Sequence, residues 1–102
     1  MPYIPAEDRP ALDIAIEALA AAINESDGTT FDDLAKAGRL NYSMTRVTSL
    51  VLPSDRYHRA ALATGVLENV KQELYRRAVA PYEDLKIDEN GDVPEYEQKS
   101  PQ

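Results

Sequence analysis

One span decides the fold class. Residues 56–80 contain no proline, and apolar side chains recur along them at helical steps. Tyr57, Ala60, Leu67, Leu74 and Ala78 form one stripe, and Leu62, Val66 and Val70 form the next. This spacing predicts one helix of roughly 37 Å, at ~1.5 Å per residue. Ser54 or Asp55 is the expected cap after Pro53, and Pro81 is the expected stop. The apolar band is too wide for one neighbour, so a helix this long in a small chain predicts contacts on two sides. Gly65 in mid-helix costs ~1 kcal/mol relative to alanine and marks a point where another backbone can come close.

The rest of the chain is read the same way. Residues 1–5 form a short arm. Asp8 is a helix cap and Pro10 a first-turn residue, ahead of Leu12, Ile16, Leu19 and Ile23 on one face. Ser26, Asp27 and Gly28 end that helix. Thr30 is the expected cap of a short helix over residues 31–37, which Gly38 interrupts. A further helix over residues 40–52 places Leu40, Met44, Val47 and Val51 inward. After Pro81, one more helical turn over residues 82–87 and a turn at Asn90-Gly91 are expected. No alternating strand pattern of useful length occurs. The expected fold is all-α: a small helical bundle or antiparallel hairpin with one long helix (about 55–80) and an irregular C-terminal extension. A single domain over residues 1–93 and a frayed polar tail over residues 94–102 complete it.

Composition excludes several classes. The chain has no cysteine, so disulfides, thiolate metal sites and thiol nucleophiles are out. The most apolar run, residues 11–23, is broken by Asp13 and Glu17, so neither a leader nor a membrane span is read. The net charge of −7 is unevenly spread. Residues 1–35 carry eight acids and one base, residues 36–77 eight bases and three acids, and residues 78–102 seven acids and two bases. The acidic ends either pair with the basic middle or flank a local anion site. Overall acidity argues against duplex nucleic acid, which is held mainly through its phosphates.

Two segments carry candidate binding chemistry. Tyr75, Arg76 and Arg77 stand at the expected end of the long helix, with Tyr82 beyond the proline. Cations there favour the helix dipole, and Glu83 and Asp84 can neutralise them. The same side chains suit a bidentate grip on phosphate or carboxylate with a tyrosine stacking on a base. In the second segment Tyr42 and Arg46 share one flank of a helix, and Asn41 and Thr45 share the other. That ledge of phenol, guanidinium, amide and hydroxyl suits either a helix–helix hydrogen-bond network or a nucleotide-like ligand. His58 is the only histidine and a poor metal ligand by itself. Asp88 to Asp92 place acids or amides at positions one, three and five of a calcium loop. Val93 and Lys99 fall where glycine and glutamate are required, so a turn is read there. Asp32 and Asp33 suit a helix first turn. A helix-turn-helix over residues 31–52 is disfavoured by the acidic flanks. No phosphate loop, nucleophile elbow or zinc helix is present, and no triad assembles.

The chain resembles a family of small bacteriophage and prophage proteins of unknown function. The likeness rests on Met1-Pro2-Tyr3-Ile4-Pro5, on Leu40-Asn41-Tyr42 with Thr45-Arg46, and on Gly65-Val66-Leu67. It continues through Glu73-Leu74-Tyr75-Arg76-Arg77, then Pro81-Tyr82-Glu83-Asp84, and closes with Asn90-Gly91-Asp92-Val93. Phage origin implies a host cytoplasm and interference with host defence; the family implies no activity or cofactor. The leading expectation is a non-enzymatic homo-oligomer that sequesters a small anionic host signal, such as a cyclic nucleotide or ADP-ribose derivative. Asn41, Tyr42, Thr45, Arg46, Tyr75, Arg76, Arg77 and Tyr82 would hold it. A module that docks on a host or phage protein is the first alternative, and an uncharacterised enzyme the second.

Overall fold

A computed structural model describes residues 3–25 and 33–97, and among these every regular element is helical. A short 3-10 turn, Ala6–Asp8, leads into helix α1, Pro10–Glu25. Helix α2 spans Asp33–Val51 and α3 spans Tyr57–Leu74. A π-helical turn, Tyr75–Val79, joins α3 to α4, Ala80–Asn90, and a last 3-10 turn covers Pro94–Tyr96. The fold is all-α with one long helical run into a short C-terminal extension. No helix among the described residues is long and apolar enough to cross a membrane.

The chain divides into two compact units, Met1–Thr64 and Gly65–Gln102. In the first, α1 packs on α2. Leu19, Ala22 and Ile23 of α1 and Ala35 and Gly38 of α2 line an open groove between the two helices. The N-terminal arm is pinned by Arg9, whose guanidinium donates twice to the Ile4 carbonyl, at 3.1 and 3.0 Å. The same group lies 6.0 Å from the Tyr3 ring centre. Asp13 N–H donates to the Arg9 carbonyl at 2.8 Å, so Arg9 opens α1 in place of the expected Asp8, which lies in the preceding 3-10 turn, and Pro10 falls in the first turn as expected.

Four local expectations are corrected. Gly38 does not interrupt α2, which runs through it unbroken. Its φ stays negative, and the helix formers around it outweigh a penalty of ~1 kcal/mol. Asp55 does not cap α3; its carboxylate accepts from Arg59 Nη1 at 2.9 Å, and the helix starts from the Arg56 carbonyl instead. Pro81 does not stop the long helix. The Ala80 N–H donates to the Tyr75 carbonyl, a five-residue reach that widens the turn before the proline. Pro81 then enters the first turn of α4, where a missing N–H is harmless, and the wider turn relieves the clash its ring makes in a regular helix. Finally, Asp88, Glu89 and Asn90 are helical; the chain turns only at Gly91, whose φ of 86° ends α4 with an N–H to the Ile87 carbonyl at 2.8 Å. The Ser26–Gly28 stop and the Thr30 cap lie outside the described residues, as does Asp32.

Burial is the unusual property. Among the described residues only Ala63 is buried, at 7% exposure. Ile14 is 73% exposed and Leu34 83%. Leu12, Ile16, Leu50, Val51, Leu62, Val70 and Leu74 are all more than half exposed. The chain exposes 8972 Å².

Candidate functional site

The candidate residues fall into two sets, one per unit. Asn41, Tyr42, Thr45 and Arg46 stand on α2 in the first unit. Tyr75, Arg76 and Arg77 form the π-helical turn, and Tyr82 lies on α4, in the second.

On α2 the helical spacing of four brings Asn41 and Thr45 together. The Thr45 hydroxyl donates to the Asn41 carbonyl at 2.8 Å and approaches its side-chain oxygen at 3.3 Å. This bond back to the preceding turn satisfies the hydroxyl without a ligand. Tyr42 is 65% exposed. It borders a groove of about 520 Å³ between α1 and α2, with Leu19, Ile23 and Arg39 among the lining residues. The groove is open to solvent and mostly apolar, with a phenol and a guanidinium at its edge. Arg46 is exposed and makes no hydrogen bond or ion pair with a described residue. A second shallow groove in the first unit is lined by Ala20, Ile23, Asp33, Lys36, Ala37 and Leu40, among others.

At the π-helical turn the chemistry is largely internal. The Tyr75 hydroxyl donates to Glu83 Oε1 at 2.7 Å, eight residues on. The bond ties the first residue of the π-helical turn to α4. It also pushes the Tyr75 phenol above its ordinary pKa, because the carboxylate accepts from the neutral form and its charge opposes a phenolate. Arg76 Nη2 donates to Glu73 Oε1 at 2.8 Å. Lys86 Nζ stands 5.5 Å from the centre of the Tyr82 ring. Arg77 is exposed and makes no hydrogen bond or ion pair with a described residue. Of these four residues, then, Tyr75, Arg76 and Tyr82 are engaged by side chains of their own helix, and Arg77 alone is not.

Two contributors escape sequence reasoning. Glu83, expected to neutralise the arginines, instead accepts the Tyr75 hydroxyl. The signal for that bond is the proline inside an otherwise helical pattern, since a π-helical turn brings residues eight apart onto one face. Arg9 reads in the sequence as an isolated base; its spacing of five from Ile4 is what locks the arm. His58 is exposed at the start of α3. Among the described residues no group of three or more His, Asp or Glu side chains is arranged to hold a metal.

This is an all-helical chain whose side-chain chemistry is polar and open, on a scaffold with little interior. The chain belongs to the family described as Domain of unknown function (DUF6899), whose model matches residues 1–93. No curated protein and no solved structure matches it.

Proposed function

We propose that the chain is a non-enzymatic accessory protein, of phage origin as its resemblance implies, that works by contact with other polypeptides. One observation carries this reading: apart from Ala63, every described apolar side chain is at least partly open to solvent. Monomeric proteins rarely display apolar surface on this scale, and marginal stability needs that surface covered. Homo-oligomerisation is part of the proposal, with the assembled helices offering a docking surface to a host or phage protein in the host cytoplasm. Dilution tests it. Helix content measured by circular dichroism should fall as the chain is diluted, because association supplies the burial. Full helicity at the lowest readable concentration, in a chain that binds no polypeptide, would sink the proposal.

A second reading is favoured by Arg46. In an acidic chain, its guanidinium group has no carboxylate partner among the described residues. Such a group suits a small anionic, nucleotide-like ligand held on the first unit, with Tyr42 stacking and Asn41 reading an edge. Calorimetry of the intact protein against cyclic dinucleotides, cyclic trinucleotides and ADP-ribose tests this reading. Heat that is lost in Arg46→Glu supports it, and silence across the panel removes it.

A further inference from the structure

The second unit carries a self-complementary face. From Gly65 to Asn90 it is one helical run, formed by the end of α3, the π-helical turn and α4. Leu67, Val70, Leu74, Ala78, Tyr82 and Leu85 lie along it, all exposed. The spacing across the join is informative. Steps of four from Leu74 to Ala78 and on to Tyr82 each overshoot a full α-turn by roughly 40°, and the steps of three on either side fall short by roughly 60°. The wider π-helical turn takes up the overshoot between Leu74 and Tyr82, which keeps Leu74, Ala78 and Tyr82 close to one face. The Tyr75–Glu83 bond holds the turn in this form.

Charge gives the seam a direction. Residues 65–77 hold Lys71, Arg76 and Arg77 against Glu68 and Glu73, for a net +1. Residues 78–92 hold Lys86 against Glu83, Asp84, Asp88, Glu89 and Asp92, for a net −4. Glu68 already pairs with Lys71 at 3.6 Å and Glu73 with Arg76 at 2.8 Å, so Arg77 is the base left over. A parallel pairing of two such helices sets acid against acid. An antiparallel pairing sets the basic half of each against the acidic half of the other.

We propose that the second unit pairs antiparallel with a second copy of itself, about a two-fold axis near Ala80. This rests on the contact reading above and names the partner. In that register Leu74 meets the partner's Leu85, Ala78 lies against the partner's Tyr82, and Arg77 reaches the partner's Asp84. The small Ala78 lets the backbones approach while the tyrosine ring fills the space beside it. The interface is isologous, with each copy giving and receiving the same contacts.

The absence of native cysteine makes the test direct. Full-length Leu74→Cys and Leu85→Cys chains are mixed and oxidised, and the disulfide-linked products are identified. Antiparallel pairing gives mainly the mixed dimer, in which one chain of each variant is joined to the other. A symmetric dimer of two Leu74→Cys chains is disfavoured, because the two thiols would lie roughly 18 Å apart along the seam, at ~1.5 Å per residue. A dominant symmetric product from Leu74→Cys means a parallel pair and overturns the proposal, as does the absence of any cross-link. Sedimentation of the unmodified chain through a dilution series gives a second readout. Arg77→Glu should weaken association roughly two- to five-fold, and Asp84→Arg in the same chain should restore it. A monomer that gains helix on binding a different polypeptide ends the self-pairing while leaving the contact reading intact. A fully helical monomer that binds nothing ends both.

Discussion

Gly65→Ala tests the long helix at its weakest residue. Gly65 lies inside α3, its φ is not positive, and a methyl group built on it meets nothing within 4 Å. No steric cost within the chain opposes the change. The gain has two sources: alanine has the higher helix propensity, and it narrows the unfolded ensemble. Together they stabilise the helix by ~0.5–1 kcal/mol, or about 2–8 °C in Tm for a chain of this size. Thermal unfolding followed by circular dichroism at fixed protein concentration reads the shift. Gly91→Ala is the built-in contrast. Gly91 also has open space around it, but its φ of 86° is one that L-residues adopt at a cost of roughly 1 kcal/mol or more. The two substitutions add the same methyl group and should move Tm in opposite directions. A fall in Tm for Gly65→Ala, with helix content retained in the isolated chain, refutes the reasoning. It would mean that another backbone occupies the space beside Gly65 in the assembled protein.

Further outcomes follow from the π-helical turn and the exposed charges. Pro81→Ala removes the reason for the widened turn, so the i→i−4 ladder should close and the Tyr75–Glu83 bond should break; amide and phenol NMR signals report both. Tyr75 should titrate above a free tyrosine, and Glu83→Gln should bring it back down, as read by the ultraviolet phenolate band. The sign for stability follows from that raised pKa: the Tyr75 contribution is present below the ordinary pKa of 10.0 and is lost as pH rises through the higher folded value. Glu68 runs the other way. Its pKa is lowered, first by the hydrogen bond from Gln72 and then by the charge of Lys71. Its small contribution should be lost as pH falls below the ordinary 4.5, and Gln72→Leu should flatten that part of the acid curve.

Much of the fold was legible because apolar residues at steps of three and four need no tertiary knowledge to read. The α1 stripe followed from that pattern, as did the long run through residues 57–74, and the proline signal placed Pro10 in the first turn of α1. Two breakers count for less in the fold than their propensities suggest, each for a physical reason. Gly38 carries a propensity cost that the strong formers on either side absorb. Pro81 forbids a regular α-turn, but a π-helical turn passes the chain through it. The candidate site was legible only in part. Asn41 and Thr45 are joined by a helical spacing visible in the sequence. The engagement of Tyr75 by Glu83 depends on a backbone irregularity that local propensity does not encode. The sparse interior was foreshadowed by the wide apolar band, yet its extent is a property of the whole chain and not of any one window.

The mass of the unmodified chain in solution, by light scattering or sedimentation equilibrium, bears most directly on the claim that these helices are completed by other copies. Assembly predicts a stable multiple of 11.3 kDa that dissociates with loss of helix on dilution or in Leu74→Glu. A particle of 11.3 kDa that keeps its full helix content at every concentration contradicts it.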